Sequence, residues 1–342
     1  MRLGRLRRAP ATPCHTDSVI TDSEPARSRR GPISRLALWL AALALAGLAV
    51  PVLARLLGIE WGPLAYVVSL MPWATLALLV PLAIALALRS WPLVGVAGAM
   101  LALCLAWLAP LYVGSGGGGD PALTVATVNL GFGNGDADAV VALVRDHHIE
   151  LLSLQELTPA SLDALEQAGL DELLPYRDAH AESGYTGAGL WSAYPLSDAT
   201  TLDGFHSQAT RALVQTPAGV LTVYAIHPVA PGPRFNTMWR SELELLATEL
   251  GAATGPVIIA GDFNATRDHR GFRALEALGY VDAANEAGAG FQPTFPQDRF
   301  PIALVAIDHV MTRDAPIRAI DVRTVAIPGA DHRALIVVYG AR

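Results

Sequence analysis

The strongest constraint on the fold of this 342-residue chain is a set of three long apolar stretches in its first third. They cover residues 36–57, 61–88 and 91–113, and polar faces are almost absent from all three. Each stretch is at least as long as the ~20 residues that a helix needs to cross a bilayer. Because an ordinary surface helix of a soluble protein keeps a polar face, we predict three transmembrane helices within residues 36–113.

The charges around these stretches predict their orientation. Residues 1–35 carry eight arginines without apolar periodicity, which predicts a disordered basic tail. The positive-inside rule places this tail in the cytoplasm, together with Arg89 between the second and third stretches, whereas Arg55 falls on the opposite side against the rule. Three spans then place everything after residue 114 outside the cytoplasm, as in a multi-pass cell-membrane protein. Pro72 and Pro81 predict a kink in the second span.

A glycine-rich segment separates the apolar region from the rest of the chain. We predict a flexible linker at residues 114–122 that frees a C-terminal domain, residues 123–342, from the membrane. Because Cys14 and Cys104 both precede this domain, it contains neither a disulfide nor a catalytic thiol.

The C-terminal part of the chain is strongly acidic. From residue 120 onwards there are 27 Asp and Glu residues against 14 Arg and no Lys, a formal charge of −13. A domain that binds a phosphate backbone usually presents a basic groove, so nucleic acid is a disfavoured partner. Arg267, Arg270 and Arg273 lie on one face of a predicted helix, which we interpret as solvated.

Short apolar runs alternate with helical patterns from residue 123 to the C-terminus. The predicted strands are Leu123–Val128, Leu151–Gln155, Gly189–Trp191, Ala212–Thr216, Val220–Ile226, Val257–Ala260, Ile307–Met311 and Ala334–Val338. The predicted helices are Ala137–His147, Ser161–Ala168, Arg240–Leu250 and Gly271–Leu278. Hairpins mixed with flanking helices favour an α/β fold, a four-layer sandwich of two mixed β-sheets flanked by helices.

Asp262 and Asn264 follow the buried run Val257–Ala260. Because alternate side chains of an extended chain share a face, both point one way and Phe263 points into the packing. A carboxylate and an amide side by side are hard oxygen donors, which suit Mg²⁺ or a phosphoryl group.

Other polar side chains also end apolar strands. Asn129 ends the first strand and Glu156 follows the second, where a carboxylate at a buried edge is costly unless it is paired or bound to metal. A surface cap is the alternative for Glu156. His227 closes the strand Val220–Ile226, and taken alone a satisfied core histidine is an equally good interpretation.

Two Asp-His pairs complete the set. Asp308 and His309 are adjacent on a predicted strand, so only one of them can face the site. Asp331 and His332 precede their strand at a turn, so both can. Together with the strand-end carboxylates, these pairs predict metal-assisted attack on a phosphoester.

Taken in order, these segments resemble the endonuclease/exonuclease/phosphatase superfamily, with its DNase I-like fold, over residues 123–339. The matching segments are Thr127-Val128-Asn129-Leu130, Leu154-Gln155-Glu156, Gly189-Leu190-Trp191-Ser192 running to Tyr194-Pro195-Leu196, Ala225-Ile226-His227, Gly261-Asp262-Phe263-Asn264, Ile307-Asp308-His309-Val310 and Asp331-His332-Arg333. Ala330 departs from the pattern, since the family usually has Ser before this last Asp-His pair.

The resemblance implies a Mg²⁺ or Mn²⁺ ion held by Glu156 and Asn129, with Asp331 as a further metal contact. It implies that Asp262 orients or deprotonates the attacking water, and that Asn264 holds this water or a phosphate oxygen.

The same resemblance implies that His332 contacts the phosphoryl group and is oriented by Asp308. It makes His227 a residue that stabilises the charge developing in the transition state. Arg211 is a candidate for binding a substrate phosphate. Under this assignment Asp308 faces the site and His309 packs away from it.

The order of membrane helices followed by an extracytoplasmic domain is similar to bacterial membrane proteins associated with glycopeptide resistance. It implies a membrane-anchored phosphoesterase acting on a lipid-linked phosphate, such as undecaprenyl pyrophosphate, and implies no protein partner. The alternatives are an anchored extracytoplasmic nuclease, a sphingomyelinase-like phospholipase, and a non-catalytic sensor that uses the fold only for binding.

Overall fold

The computed structural model describes residues 31–115 and 119–342, with an apolar helical region followed by an α/β domain. The helical region comprises α1 (Pro32–Leu57), α2 (Pro63–Ser69), α3 (Met71–Ala77), α4 (Leu79–Ala87), α5 (Trp91–Leu108) and a 3₁₀ turn at Ala109–Leu111. Helix α1 starts four residues before the predicted boundary at residue 36. The rest of the predicted basic tail, and residues 116–118 of the predicted linker, lie outside the described residues.

Two of these helical segments are long and apolar enough to span a membrane. Pro32–Leu57 has a mean hydropathy of 2.4 and Trp91–Leu111 one of 2.1. The structure thus has two continuous candidate spans among its described residues, rather than the three that we predicted. The third is present only if Pro63–Ser69 and Met71–Ala87, which are bent by 65° relative to each other, count as one broken span.

The break in the second stretch lies at Leu70, which separates α2 from α3. Pro72 occupies the first turn of α3, where its missing N–H costs least and where it cannot continue the preceding helix. The predicted kink is therefore found at Pro72. Pro81 lies in the first turn of α4.

The helical region contacts the α/β domain directly through buried polar groups. Arg55 Nε and Asp268 Oδ1 are 2.5 Å apart, and each side chain is only 8% exposed. The Trp73 indole N–H donates to the Leu304 carbonyl over 2.7 Å. His269 Nε2 lies 2.9 Å from the Ala65 carbonyl. A glycine linker predicted a free domain, but these contacts hold the two regions together.

Twelve strands of the described residues form two six-stranded sheets, which confirms the predicted sandwich. The first sheet has the order β11-β12-β1-β2-β4-β3 and the second β5-β6-β7-β8-β10-β9. In chain order the strands are β1 (Pro121–Asn129), β2 (Leu151–Gln155), β3 (Tyr176–His180), β4 (Ala188–Ser192), β5 (Leu196–Thr201), β6 (Thr210–Thr216), β7 (Gly219–Ile226), β8 (Val257–Asp262), β9 (Val281–Asp282), β10 (Asp308–Arg313), β11 (Ile317–Ala326) and β12 (Arg333–Ala341). Both sheets are mixed, because β1–β2 and β7–β8 are parallel pairs and their other neighbours are antiparallel.

Apolar side chains pack the sheets against each other and against helices on both outer faces. The inner core joins Val125 and Leu190 of the first sheet to Val223 and Ile258 of the second. The helices of the domain are α6 (Ala137–Asp146), α7 (Pro159–Gln167), α8 (Leu170–Leu173), α9 (Asn236–Ala252), α10 (Arg270–Ala277) and α11 (Ala283–Ala287). Residues of α6, α7 and α8 cover the first sheet, and those of α9 and α10 cover the second.

The eight predicted strands and four predicted helices of the domain all exist, with boundaries shifted by a few residues. Four strands were missed, namely β3, β5, β9 and β11. All four are edge strands of their sheets. Their exposed or irregular patterns lack the apolar runs on which our prediction relied.

Candidate active site

The predicted acids and histidines converge where strands of the two packed sheets end. Asn129 and Glu156 lie at the ends of the parallel pair β1 and β2. Asp262 ends β8, and Asp308, its direct cross-strand partner, begins β10. Ser153 Oγ donates to the Ala260 carbonyl over 3.0 Å, which connects the two sheets just beneath the site.

Asp262, Asp308 and His332 form the buried centre of the site. His332 Nδ1 lies 2.8 Å from Asp308 Oδ2, and His332 Nε2 lies 3.8 Å from Asp262 Oδ2. The three side chains offer ligand atoms that all lie within 4.8 Å of one another. His309, next to Asp308 on β10, points away and contacts Asp282 Oδ2 at 2.9 Å, as strand alternation predicts.

Asn129 connects Glu156 to this centre. Its Nδ2 donates to Glu156 Oε1 over 3.2 Å and to Asp262 Oδ2 over 3.0 Å. Its Oδ1 accepts from the Gly131 N–H over 2.9 Å, and the Phe132 N–H donates to Glu156 Oε2. Asn129 therefore presents a donor to the two carboxylates in this structure, with its oxygen turned to the backbone.

Two of the site residues have strained backbones. Glu156 has φ +57° and Asn264 has φ +47°, both in the left-handed region that residues other than glycine rarely adopt. Glu156 directly follows β2, and Asn264 comes two residues after the end of β8, where such a residue turns the chain sharply. Strain of this kind is concentrated at functional sites in proteins. Asn264 N–H donates to Asp262 Oδ1 over 2.7 Å, and Asn264 Nδ2 donates to the Pro228 carbonyl over 3.0 Å.

His227 and Asp331 border the centre on different sides. His227 Nε2 lies 3.7 Å from Asp262 Oδ2 and 3.9 Å from Glu156 Oε1. Asp331 Oδ1 is buried without a hydrogen-bond partner among the described residues. A Cβ built on Gly131, whose φ is +56°, would come within 2.8 Å of that Asp331 oxygen, so a side chain here would crowd the Asp331 carboxylate.

Arg211 is not brought to the site. It lies on β6, where its nearest acidic partner is Glu249 of helix α9, with Arg211 Nε 3.9 Å from Glu249 Oε1. Tyr224, the neighbour of Arg211 on β7, also directs its hydroxyl to Glu249. Arg211 thus belongs to the outer face of the second sheet that α9 covers, and the prediction that it binds a substrate phosphate finds no support.

Phe295 is a site residue that our sequence reasoning missed. Its ring centroid lies 4.7 Å from that of His332. Its backbone pairs with Leu304 and Val305 across the loop that precedes β10. No charged or metal-binding residue type marks this position, so the sequence gives no signal for it.

Burial and the neighbouring charges shift the proton affinities of the site. Burial raises the pKa of the Asp262 carboxyl, and the charge of Asp308 raises it further. Burial alone would lower the pKa of His332, but the Asp308 and Asp262 carboxylates raise it to about 10. Burial and the charge of His332 lower the pKa of His227 to about 4. At neutral pH the site therefore pairs a cationic His332 with a neutral His227.

The donor set fits a divalent metal ion. The carboxylates of Asp262 and Asp308 lie close to each other, and Asn129 connects the carboxylate of Glu156 to that of Asp262. Asp308 Oδ1 is buried without a hydrogen-bond partner among the described residues. Burial also raises the pKa of Glu156. Buried carboxylates are costly unless a cation compensates them, and carboxylate oxygens are the ligands that Mg²⁺ and related hard cations prefer.

Comparison with known proteins agrees with this geometry. Residues 126–332 match the model of the endonuclease/exonuclease/phosphatase family. The chain belongs to this family. No curated protein matches the chain significantly. Members of the family are metal-dependent hydrolases, in keeping with the buried acids of this site.

Solved structures share the fold of the domain. An endonuclease/exonuclease/phosphatase from Bacteroides vulgatus has a TM-score of 0.52 at 17% identity, covering 64% of this chain and 99% of that one. A humanized D. rerio TDP2 also has 0.52, at 14% identity and with the same coverage. A functionally unknown conserved protein from Enterococcus faecalis has 0.51 at 16% identity, covering 64% of this chain and all of that one. At these identities the likeness establishes the fold alone.

Proposed function

We propose that this protein is a membrane-anchored, metal-dependent phosphoesterase that hydrolyses a phosphoester or pyrophosphate of a lipid-linked phosphate at the outer membrane face. One observation carries the proposal: a buried acid-histidine site lies in a domain that makes buried contacts with helices apolar enough to span a membrane. A site fixed beside a bilayer meets membrane-bound substrates at high effective concentration.

Each residue of the site has a chemical task in this reaction. Asp262, whose pKa is raised by burial, is placed to orient the attacking water and accept its proton. His332 is cationic and donates a hydrogen bond or proton to the phosphoryl group, while Asp308 holds its ring through Nδ1. A divalent ion, when bound by Glu156 and its neighbouring carboxylates, supplies Lewis-acid polarisation of a phosphoryl oxygen.

His227 and Asn264 complete the proposed machinery. His227 Nε2 lies 3.7 Å from Asp262 Oδ2 and, when it carries the ring proton, stabilises negative charge that develops beside it. The Asn264 backbone N–H fixes the Asp262 carboxylate, and its side-chain carbonyl remains available to the water or a phosphate oxygen. The proposed metal is Mg²⁺ or Mn²⁺, both of which accept oxygen ligands.

Charge supports a lipid-linked phosphate over nucleic acid as the substrate. The chain from residue 120 onwards has a formal charge of −13, from 27 acidic residues and 14 arginines. Such a surface repels a polyanion, whereas a single phosphate headgroup needs only the local charges of the site. In this proposal the N-terminus is cytoplasmic and the domain is extracytoplasmic.

The test uses the full chain in detergent or reconstituted in vesicles, because the domain contacts the helical region through buried polar pairs. Phosphate release from undecaprenyl pyrophosphate is measured with Mg²⁺, with Mn²⁺ and with EDTA. The variants are Glu156→Gln and His332→Gln, and the matched controls are Glu244→Gln and His148→Gln at exposed positions. We expect metal-dependent release that both site variants lose and both controls keep.

Other substrates, assayed alongside the lipid pyrophosphate, distinguish the alternative functions. Single-stranded and plasmid DNA test the nuclease, and sphingomyelin tests the phospholipase. Metal-dependent cleavage of DNA or of sphingomyelin, without release from the lipid pyrophosphate, would replace the proposed substrate. No turnover of any of the substrates, together with metal binding by calorimetry, would favour a non-catalytic binding protein.

A further inference from the structure

An apolar groove runs along the helical region toward the α/β domain. One wall is α5, which contributes Leu101 and Leu105, and the other is the α3–α4 segment, which contributes Leu76 and Leu79. Its volume is about 310 Å³. Between Leu101 and Leu108, which both lie on α5 and line the groove, the helical rise predicts a length of roughly 10 Å.

The lining of the groove is suited to a hydrocarbon chain. Two of its polar groups are already paired, since the Trp73 indole N–H donates to the Leu304 carbonyl and the Thr75 hydroxyl donates to the Met71 carbonyl. Leu76 is 58% exposed and Leu105 is 49% exposed, so these side chains face whatever surrounds the helices. Within a bilayer, that surrounding medium is lipid.

The groove ends at the loop that forms part of the active site. Trp73 and Phe291 close its upper end, with their ring centroids 6.3 Å apart in an edge-to-face contact. The Leu304 residue that accepts the Trp73 hydrogen bond is itself paired with Phe295. The Phe295 ring lies against that of His332.

A second, smaller cavity continues from the same end of the groove. Pro72 and Phe291 line both cavities, and Asp308 lines the second one. Side chains at the domain end of the groove are therefore shared with a cavity that reaches a residue of the buried centre.

We propose that this groove seats the hydrocarbon chain of a phosphate-headgroup lipid and thereby directs the headgroup to the active site. The proposal rests on the proposed function, and it adds a binding site that selects substrates by their lipid chain. It also assigns a role to the break between α2 and α3. Pro72 and Trp73 follow this break directly and form the upper end of the groove.

The test fills the groove without touching the active site. Leu105→Trp and Leu76→Trp place indoles in its two walls, and Leu43→Trp on an exposed face of α1 is the matched control. Full-length protein in vesicles is assayed on a long-chain lipid phosphate and on a short water-soluble phosphoester. We expect the groove variants to lower kcat/KM for the lipid about tenfold or more, mainly through KM, because even one methylene gained or lost in a hydrophobic pocket changes kcat/KM about 10–200-fold. Turnover of the soluble ester, and both activities of Leu43→Trp, should stay unchanged.

A second readout does not depend on catalysis. A lipid phosphate with a photoactivatable group in its chain is crosslinked to the wild type, and the labelled peptides are mapped. We expect labelling of residues 71–79 and 101–112, and its loss in both groove variants but not in Leu43→Trp. Equal labelling of α1, or unchanged labelling and unchanged lipid kinetics in the groove variants, would overturn the groove proposal. If the wild type hydrolyses no lipid phosphate, the proposed function fails. The crosslinking result alone then shows whether the groove binds a lipid chain.

Discussion

The buried ion pair between Arg55 and Asp268 gives the sharpest prediction about stability. The two residues lie 213 positions apart and connect the end of α1 to the segment after β8. Replacing Arg55 by Leu removes the partner of a carboxylate that is only 8% exposed. The replacement also removes the guanidinium that stacks 3.8 Å from the centroid of the Trp107 ring.

The expected cost follows from the burial of the pair. Breaking a buried ion pair on one side costs about 3–5 kcal/mol, because the remaining charge stays buried without compensation. At about 2–4 °C per kcal/mol, the apparent Tm of Arg55→Leu should fall by about 6–20 °C. The apparent Tm of Asp268→Leu should fall by a similar amount, since this variant leaves the charge of Arg55 buried without a partner.

The double variant Arg55→Leu/Asp268→Leu distinguishes charge burial from loss of packing. Replacing both members of a buried pair by apolar residues is often neutral or stabilising. The double variant should therefore recover most of the loss. The assay is thermal unfolding of the full chain in detergent, with Arg145→Leu at an exposed position as control. Single variants as stable as the wild type, or a double variant whose loss is the sum of the two, would refute the reasoning.

Three further predictions concern the α/β domain. Gly261→Ala should strongly destabilise the domain, because the added Cβ would come within 2.1 Å of a backbone oxygen of β7. The measurement is thermal unfolding, and the control is Gly98→Ala, where the added Cβ meets open space. The Glu242 carboxylate accepts hydrogen bonds from the backbone N–H groups of residues 206 and 229. Glu242→Ala should therefore lower the free energy of unfolding in urea by about 1–3 kcal/mol. Glu244→Ala, at an exposed position, is the control and should leave it almost unchanged. Although burial lowers the pKa of His309, its acidic partner raises it above the usual value. The stability that this histidine adds is present below about pH 6.5 and is lost as pH rises through the raised pKa. His309→Gln should therefore be less stable than the wild type at pH 5.5, and the Tm gap should narrow toward pH 9; a constant gap would contradict this.

The site could be predicted from the sequence because its residues follow strongly apolar strands. Asp262 comes after a completely buried run, and Glu156 does the same after β2. In both cases a carboxylate at a buried strand end is too costly to be accidental. The position of Asp308 relative to His309 followed from the two-residue period of a strand.

The missed strands carry no such signal. Strand β5 has the sequence LSDATT and is almost wholly exposed, so it has no apolar face to detect. Strand β11 is long, but a register shift between Ala319 and Asp321 interrupts its alternation. Arg211 was misplaced for a related reason. Its chemistry suits a phosphate, but an arginine on a strand gives no indication of which face of the sheet it occupies.

The arginines at and near the apolar helices were misinterpreted because each was considered without a partner. Arg55 contradicted the positive-inside rule as a free charge, but it is a buried member of an ion pair with Asp268. The predicted solvated arginine face of α10 is likewise only partly solvated. Arg270 is exposed, whereas Arg273 donates to the Arg55 carbonyl over 3.0 Å. Pairing across 200 residues leaves no local trace in a sequence.

These contacts change what the apolar helices contribute to the proposed enzyme. A free tether would only raise the local concentration of the domain near lipid. Here Trp73 is connected through Leu304 and Phe295 to His332, so the helical region supports the loop against which a proposed catalytic histidine packs. A domain cut away at residue 120 would keep every proposed catalytic residue but lose this support. Its activity on a soluble phosphoester should therefore fall below that of the full chain. Equal activity of the two proteins would show that the helices do not support the active site and act only as an anchor.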